Sequence, residues 1–64
     1  MAKLPVELVH AVRRARGEDN LKVSELEAKT GLSRYVLYRV INGTTTSVRP
    51  STIEKLNKWL YQRI

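Results

Sequence analysis

The chain has 64 residues, of which 12 are basic and 6 are acidic, and its net charge is +6. A chain of this length fits one small domain, which buries only about 60% of the surface that its unfolded state exposes. It has no cysteine and one histidine, which argues against disulfide bonds, thiolate metal sites and a zinc site. Because we find no signal-peptide pattern and no apolar run of membrane-spanning length, we expect a cytoplasmic protein that makes no membrane contact.

The excess of positive charge lies in the second half of the chain. Residues 1–30 hold six basic and five acidic side chains, whereas residues 31–64 hold six basic side chains and one acidic residue, Glu54. A polyanionic partner would gain affinity from such a surface through counterion release. The distribution therefore favours a surface that binds nucleic acid over a surface whose positive charge has no function.

The first predicted helix follows a loose end at residues 1–3 and runs from Pro5 to Gly17. Proline suits the first turn of a helix, and glycine is expected to stop it. The apolar stripe of this helix consists of Leu8, Val9, Val12 and Ala15. Three arginines lie in its last turn, where they either complement the helix dipole or include one phosphate contact: Arg13, Arg14 and Arg16.

The second predicted helix follows a polar loop at residues 17–20 and starts between Lys22 and Ser24. Ser24 and Glu27 fit a capping box, which would make the start late and the helix very short. We favour the start near Lys22 because it gives the better length. Gly31 ends this helix, since it can take the positive φ of a sharp turn at little steric cost.

The third predicted helix runs from Arg34 to Asn42, with Ser33 as its cap and Gly43 as its end. It follows the second helix so closely that the two form a helix-turn-helix. Leucine and valine side chains are spaced to meet across the turn: Leu26, Leu32, Leu37 and Val40.

This third helix has an apolar face and a polar face. Leu37, Val40 and Ile41 fall on the apolar side. The other side has no acidic residue and carries an i, i+3, i+4, i+7 stripe with one more arginine beside it: Tyr35, Tyr38, Arg39, Asn42 and Arg34. Cations, amphipathic rings and an amide on one face indicate a surface that reads nucleic acid.

The loop after this helix, Thr44 to Arg49, is rich in hydroxyl groups. These groups either hold phosphates or reflect the ordinary composition of loops, and the charged Arg49 is the stronger candidate for a phosphate contact.

The last predicted helix opens at Pro50 and Ser51, and Ser51 with Glu54 fits a second capping box. Its inward stripe consists of Ile53, Leu56 and Leu60. Three further apolar or aromatic residues exceed what one stripe needs, so they either wrap the same core or form a dimer surface: Trp59, Tyr61 and Ile64. No stretch has the alternation of a β-strand, so an all-α fold is predicted.

Two stretches carry a resemblance to a known family. From Leu26 to Gly43 the chain has leucine, glycine five residues later, hydrophobe-Ser-Arg, alternating apolar residues and Asn-Gly; from Arg49 to Leu60 it has R-P-S-x-x-E-x-L. Both patterns resemble the phage Cro/CI-like (XRE-type) helix-turn-helix family. Ser33-Arg34-Tyr35 and Arg39-Val40-Ile41-Asn42 are also similar to the DNA-binding headpiece of the lactose-repressor family, from which this chain differs by its full helix before the motif and its lack of a sensor domain.

The first resemblance implies a lambda-repressor-like bundle of four or five helices, with residues 1–64 as one helix-turn-helix domain. It also implies that recognition positions are occupied by Arg34, Tyr35, Tyr38 and Arg39. Two residues depart from the family pattern. Glu27 stands where a small alanine is usual, and a buried unpaired carboxylate would be costly. Its side chain must therefore point to solvent or pair with a basic residue, or the two helices of the motif cross differently. Val23 stands where a DNA-orienting glutamine is frequent.

We therefore expect a sequence-specific regulator that binds double-stranded DNA, as a phage or mobile-element repressor that acts by occupying its operator. The third helix would enter the major groove, with Arg34 and Arg39 matching guanine and Tyr35 and Tyr38 touching thymine methyls or phosphate. Contacts to the DNA backbone are expected from Ser33, Asn42, Thr44, Thr45, Thr46 and Arg49. A homodimer on a palindromic operator would double the contacts, and its interface is expected at Trp59, Tyr61 and Ile64.

The alternative is a protein-interaction module that uses the same basic and aromatic face to bind an anti-repressor, a polymerase or another repressor. An enzyme is not expected, because Ser33 has no evident base and the chain has no glycine-rich phosphate cradle or metal-ligand spacing. We expect no cofactor, no metal and no small-molecule ligand.

Overall fold

The computed structural model describes residues 2–63, and within this range it has four helices and two short strands. In chain order they are β1 (Ala2–Lys3), α1 (Val6–Asp19), α2 (Val23–Thr30), α3 (Arg34–Asn42), β2 (Ser47–Val48) and α4 (Pro50–Gln62). The predicted all-α bundle with a helix-turn-helix is confirmed, and α2 and α3 are the two helices of that motif. No helix in the described range is long and apolar enough to cross a membrane.

All four helices contribute to one hydrophobic core. α2 packs on α3, α1 packs on α3 and α4, and α2 also packs on α4. The largest side chains that are fully buried are Leu26, Leu37, Leu56, Val12 and Val40. Most of the residues predicted to face inward are in this core, and four more are half-buried against it: Val9, Ile41, Ile53 and Leu60.

The first helix is longer than predicted, because Gly17 lies inside α1 rather than at its end. A glycine in a helix interior costs about 1 kcal/mol relative to alanine but does not interrupt the hydrogen bonds of the backbone. The helix ends at Asn20, which takes the left-handed conformation at φ 52° and donates its N–H to the carbonyls of Arg16 and Gly17. Asparagine is one of the few residues other than glycine that tolerate this conformation.

The second helix begins at Val23, so the favoured early start is confirmed, and the alternative with a Ser24–Glu27 capping box does not occur. The Glu25 carboxylate instead accepts a hydrogen bond from the Lys22 backbone N–H at 3.0 Å. The helix ends at Gly31, whose φ is +75° as the predicted turn requires. Glu27 is thereby free to turn towards the next helix.

The fourth helix begins at Pro50, and the predicted Ser51–Glu54 capping box is also wrong. Arg49 precedes the helix in an extended conformation and makes no side-chain cap, so Ser51 already lies within the first turn. The buried residues of α4 are Thr52, Leu56 and Trp59. The buried stripe is therefore rotated from the predicted one, because Trp59 rather than Leu60 fills the core.

The two strands correct two expectations, that Ala2 and Lys3 belong to a loose end and that the chain has no strand, whereas Met1 lies outside the described residues. Ala2 pairs with Val48 and Lys3 pairs with Ser47 in an antiparallel ribbon. The Leu4 N–H extends the ribbon by donating to the Thr46 carbonyl at 2.8 Å. Strands of two residues are too short to show alternation, and the pairing joins segments that lie far apart in the sequence.

The ends of α1 and α4 are joined by a bidentate ion pair. Arg63 donates through Nε to Asp19 Oδ2 at 2.8 Å and through Nη2 to Asp19 Oδ1 at 3.0 Å. Glu18 lies 3.4 Å from the same Nη2, and the Arg63 guanidinium lies 6.0 Å from the centroid of the Trp59 ring. The hydrogen bond from Arg63 holds the pKa of Asp19 below its usual value.

Candidate nucleic-acid interface

The turn between α2 and α3 is held by hydrogen bonds from two hydroxyl residues. Thr30 is buried, and its Oγ1 donates to the Leu26 carbonyl at 2.7 Å and accepts from the Leu32 N–H at 3.2 Å. Ser33 Oγ accepts from the Val36 N–H at 3.4 Å, which confirms the predicted cap of α3. These contacts determine where α3 starts and hold it across α2.

The two faces of α3 have the predicted exposure. Leu37 and Val40 are fully buried, whereas Tyr35 is 76% exposed and Tyr38 is 48% exposed. The remaining residues of the polar face, which are Arg34, Arg39 and Asn42, are also exposed. The structure thus presents a continuous polar and aromatic face on a short helix that is anchored by its opposite side.

A groove on one side of α3 brings the first two helices to the polar face. Arg34 and Tyr38 line this groove from α3, and Arg16, Lys22 and Ser24 line it from α1 and the start of α2. Arg16 Nε is buried there without a hydrogen-bond partner among the described residues. Of the three arginines in α1, Arg16 is therefore the one placed beside α3.

A second groove lies on the other side of α3, between this helix, the loop and the start of α4. Arg39 lines it from α3, Arg49 lines it from the loop, and Ser51 and Lys55 line it from α4. At about 100° per residue, Arg34 and Tyr38 lie on the opposite flank of α3 from Val36 and Arg39. The polar face thus has basic residues along both of its borders, and Glu27 is an acidic residue in the first groove.

The threonines of the loop mainly stabilise the loop itself. Thr44 Oγ1 donates to the Arg39 carbonyl at 3.4 Å, and Thr45 Oγ1 donates to the Ser47 carbonyl at 2.8 Å. Both hydroxyl protons are thus engaged within the protein, which supports the structural interpretation of these two residues. Thr46 is exposed beside them, and its carbonyl accepts from Leu4 as part of the strand pairing.

The two departures from the family pattern have different outcomes. Glu27 pairs with a basic residue, Arg34, which was one of the expected alternatives. Its Oε2 accepts from the Arg34 backbone N–H at 3.2 Å, and its Oε1 lies 3.8 Å from Arg34 Nε. Val23 is half-buried against the core as the first residue of α2.

The three residues predicted for a dimer interface are in different environments. Trp59 is 4% exposed, so it belongs to the core of its own chain, and this part of the dimer prediction is not supported. Tyr61 is 77% exposed and remains available to a second copy. Ile64 lies outside the described residues.

Reasoning from the sequence did not assign several groove-lining residues to the interface, among them Lys22, Ser24, Ser51 and Lys55. Their position depends on how α2 packs on α3 and how α4 packs on α1 and α2, for which the sequence pattern of each helix gives no information. Within residues 2–63, no group of three or more His, Cys, Asp or Glu side chains is arranged to hold a metal ion.

Comparison with known proteins agrees with this geometry. A family model described as the Cro/C1-type HTH DNA-binding domain matches residues 11–61, which is most of the chain. No curated protein and no solved structure gives a significant match. The matched residues include all four helices except the first five residues of α1 and the last residue of α4. The chain therefore belongs to the Cro/C1-type helix-turn-helix family, and it is a regulator of transcription that binds double-stranded DNA.

Proposed function

We propose that the chain is a sequence-specific repressor of the phage or mobile-element type, which acts by occupying its operator as a homodimer. One observation carries this proposal: the exposed face of α3 is bordered by basic residues on both sides, Arg16 and Lys22 on one and Arg49 and Lys55 on the other. A helix in the major groove has a phosphate strand on either side of it, so this charge pattern suits insertion of α3 into that groove.

Base readout is assigned to the polar face of α3. Arg34 and Arg39 have forked donors that match the O6 and N7 acceptors of guanine, and one such bidentate pair discriminates by about 1–3 kcal/mol. Tyr35 and Tyr38 are exposed enough to contact thymine methyls with their rings. Because Arg34 and Arg39 lie on opposite flanks of the helix, they would contact different base pairs.

Contacts to the DNA backbone are assigned to the two borders, to the C-terminal end of α3 and to the loop that follows it. Arg49 and Lys55 would neutralise phosphates on one side, and Arg16 and Lys22 would do so on the other. Asn42 lies at the C-terminal end of α3, and Thr46 is exposed in the adjoining loop. Ser33 would act mainly as the cap of α3, because its Oγ accepts from the Val36 N–H. Thr44 and Thr45 would act mainly by holding that loop in shape.

Two-fold pairing is proposed because one small recognition module makes few base contacts. A single module buries about 600–1,000 Å² on DNA, and two copies on a palindromic site double that area and the number of bases read. Tyr61 is the exposed aromatic residue of α4 and is assigned to the interface. Occupancy of a promoter then excludes polymerase or a competing regulator without a further activity.

Selection of bound sequences from a random duplex pool tests the proposal directly. The expected result is a palindromic motif whose half-sites are about one helical turn apart, or a multiple of that distance. An enriched motif without symmetry would contradict the homodimer, and no enrichment would contradict sequence-specific binding. Retention of an acidic protein in place of duplex DNA would instead favour the protein-interaction alternative.

Matched variants then separate base contacts from backbone contacts. Arg39→Ala should relax discrimination at one base position, whereas Arg49→Ala should weaken binding to all sequences and reduce the salt dependence by about one phosphate. The logarithm of the binding constant should fall with the logarithm of salt concentration by about 0.9 per phosphate contact. Identical behaviour of the two variants would refute this division of roles.

A further inference from the structure

We propose that Glu27 is a positioning residue that holds Arg34 for base readout and keeps phosphate away from the start of α3. The inference rests on the proposed function, because it assigns a base contact to Arg34. The family pattern has a small residue at this position, whereas this chain has the charged Glu27.

The position of Glu27 is defined by two contacts to the same residue of the next helix. Its Oε2 accepts from the Arg34 backbone N–H at 3.2 Å, and its Oε1 lies 3.8 Å from Arg34 Nε. The first contact caps α3 together with Ser33, so two of the N–H groups that a helix start leaves unpaired have partners. The second contact is an ion pair longer than a hydrogen bond, which favours the Arg34 conformers that keep Nε near the carboxylate.

The Arg34 side chain remains accessible in spite of this restraint. It is 64% exposed, and the Glu27 side chain is 30% exposed beneath it. Because the carboxylate faces Nε, the terminal N–H groups of the guanidinium remain available as a forked donor. A side chain that is already held in place loses less conformational freedom when it binds a base.

The negative charge of Glu27 has a second effect on what the start of α3 can bind. Backbone N–H groups and the helix dipole make a helix N-terminus attractive to phosphate. A carboxylate that already accepts from the first of these N–H groups competes with phosphate and repels it. Arg34 is thereby reserved for base edges, while phosphates are left to the basic residues along the two borders.

The test uses Glu27→Gln in the whole chain. The glutamine carbonyl can still accept from the Arg34 N–H, so the fold is retained while the charge is lost, and the melting temperature checks this. We expect binding to random-sequence duplex to tighten by about two- to fivefold, the effect of one charge at a helix N-terminus. Discrimination at the base that Arg34→Ala identifies should fall by about threefold or more.

Two comparisons make these expectations specific. Glu7→Gln changes the net charge equally, and Glu7 has no hydrogen bond or ion pair with α3 among the described residues, so it should affect non-specific binding only slightly. In an Arg34→Ala background, Glu27→Gln should leave base discrimination unchanged. If Glu27→Gln and Glu7→Gln bind and discriminate alike while Arg34→Ala still relaxes one base position, the inference about Glu27 is overturned and the proposed function stands.

A measurement without DNA covers the case in which the proposed function fails. The Nε–H signal of Arg34 should show a higher heteronuclear NOE than that of the exposed Arg14 in the free protein, and Glu27→Gln should lower it to the Arg14 value. A merely structural cap would leave this signal unchanged. Equal mobility of Arg34 and Arg14 in the wild-type chain would overturn the inference whatever the DNA experiments show.

Discussion

Replacing Thr30 by valine should destabilise the protein by removing one acceptor from the turn between α2 and α3. Valine has nearly the shape of threonine, so the buried site stays filled. The Leu32 N–H, which now donates to Thr30 Oγ1 at 3.2 Å in a buried environment, would be left without that acceptor. An unsatisfied buried donor costs about 1–3 kcal/mol.

This loss is large for so small a protein. A chain of 64 residues is expected to have a free energy of unfolding of about 3–10 kcal/mol. In a domain of about this length, the melting temperature should fall by about 4–8 °C for each kcal/mol lost. Urea denaturation followed by circular dichroism would measure the free energy of unfolding, and an unchanged m-value would show that the two end states are comparable.

Thr52→Val is the matched control for this experiment. Thr52 is 6% exposed and Thr30 is 7% exposed, so both substitutions add the same methyl group to an equally buried site. The Thr52 hydroxyl makes no hydrogen bond with the described residues and lines the groove beside α3. Any gain from the added methyl group should therefore cancel, and the difference between the variants isolates the hydrogen bonds of Thr30. Equal stability of the two variants would refute the role assigned to the Thr30 hydroxyl.

Two glycine substitutions should change stability in opposite directions. Gly17→Ala should raise the free energy of unfolding by about 0.5–1 kcal/mol, because Gly17 lies inside α1 and a Cβ there meets nothing within 4 Å. Gly31→Ala should lower it by about 1–2 kcal/mol, because Gly31 has a φ of +75°. A shift in the same direction for both would contradict the helix bounds. The Asp19–Arg63 ion pair should make stability depend on pH. Since Arg63 lowers the pKa of folded Asp19 below the unfolded value of about 3.8, the stabilisation is present above that pH and is lost as the pH falls through the lower folded pKa. Asp19→Asn should remove this part of the acid sensitivity in thermal melts between pH 2 and about pH 5, and an unaltered profile would contradict it.

Local patterns in the sequence were sufficient for the helix-turn-helix and for the polar face of α3. Ser33 caps the start of α3 and Gly43 caps its end, as predicted, and Gly31 takes the positive φ of the turn. These features depend on hydrogen bonds and backbone conformations within about four residues, so the local sequence is enough to predict them. The same local reasoning failed at Ser51, which fits a capping box in the sequence but lies inside the first turn of α4 because Arg49 takes the capping position.

Longer-range contacts were decided by the tertiary structure. Lys22 and Lys55 border α3 only because of how α2 packs on α3 and how α4 packs on α1 and α2, and the same packing of α4 brings Trp59 into the core. Glu27 meets Arg34 across the turn, and residues 2–3 pair with residues 47–48 from the other end of the chain. Periodicity assigns a side chain to a face of its own helix, whereas the neighbours that this face meets depend on how all the helices share one small core.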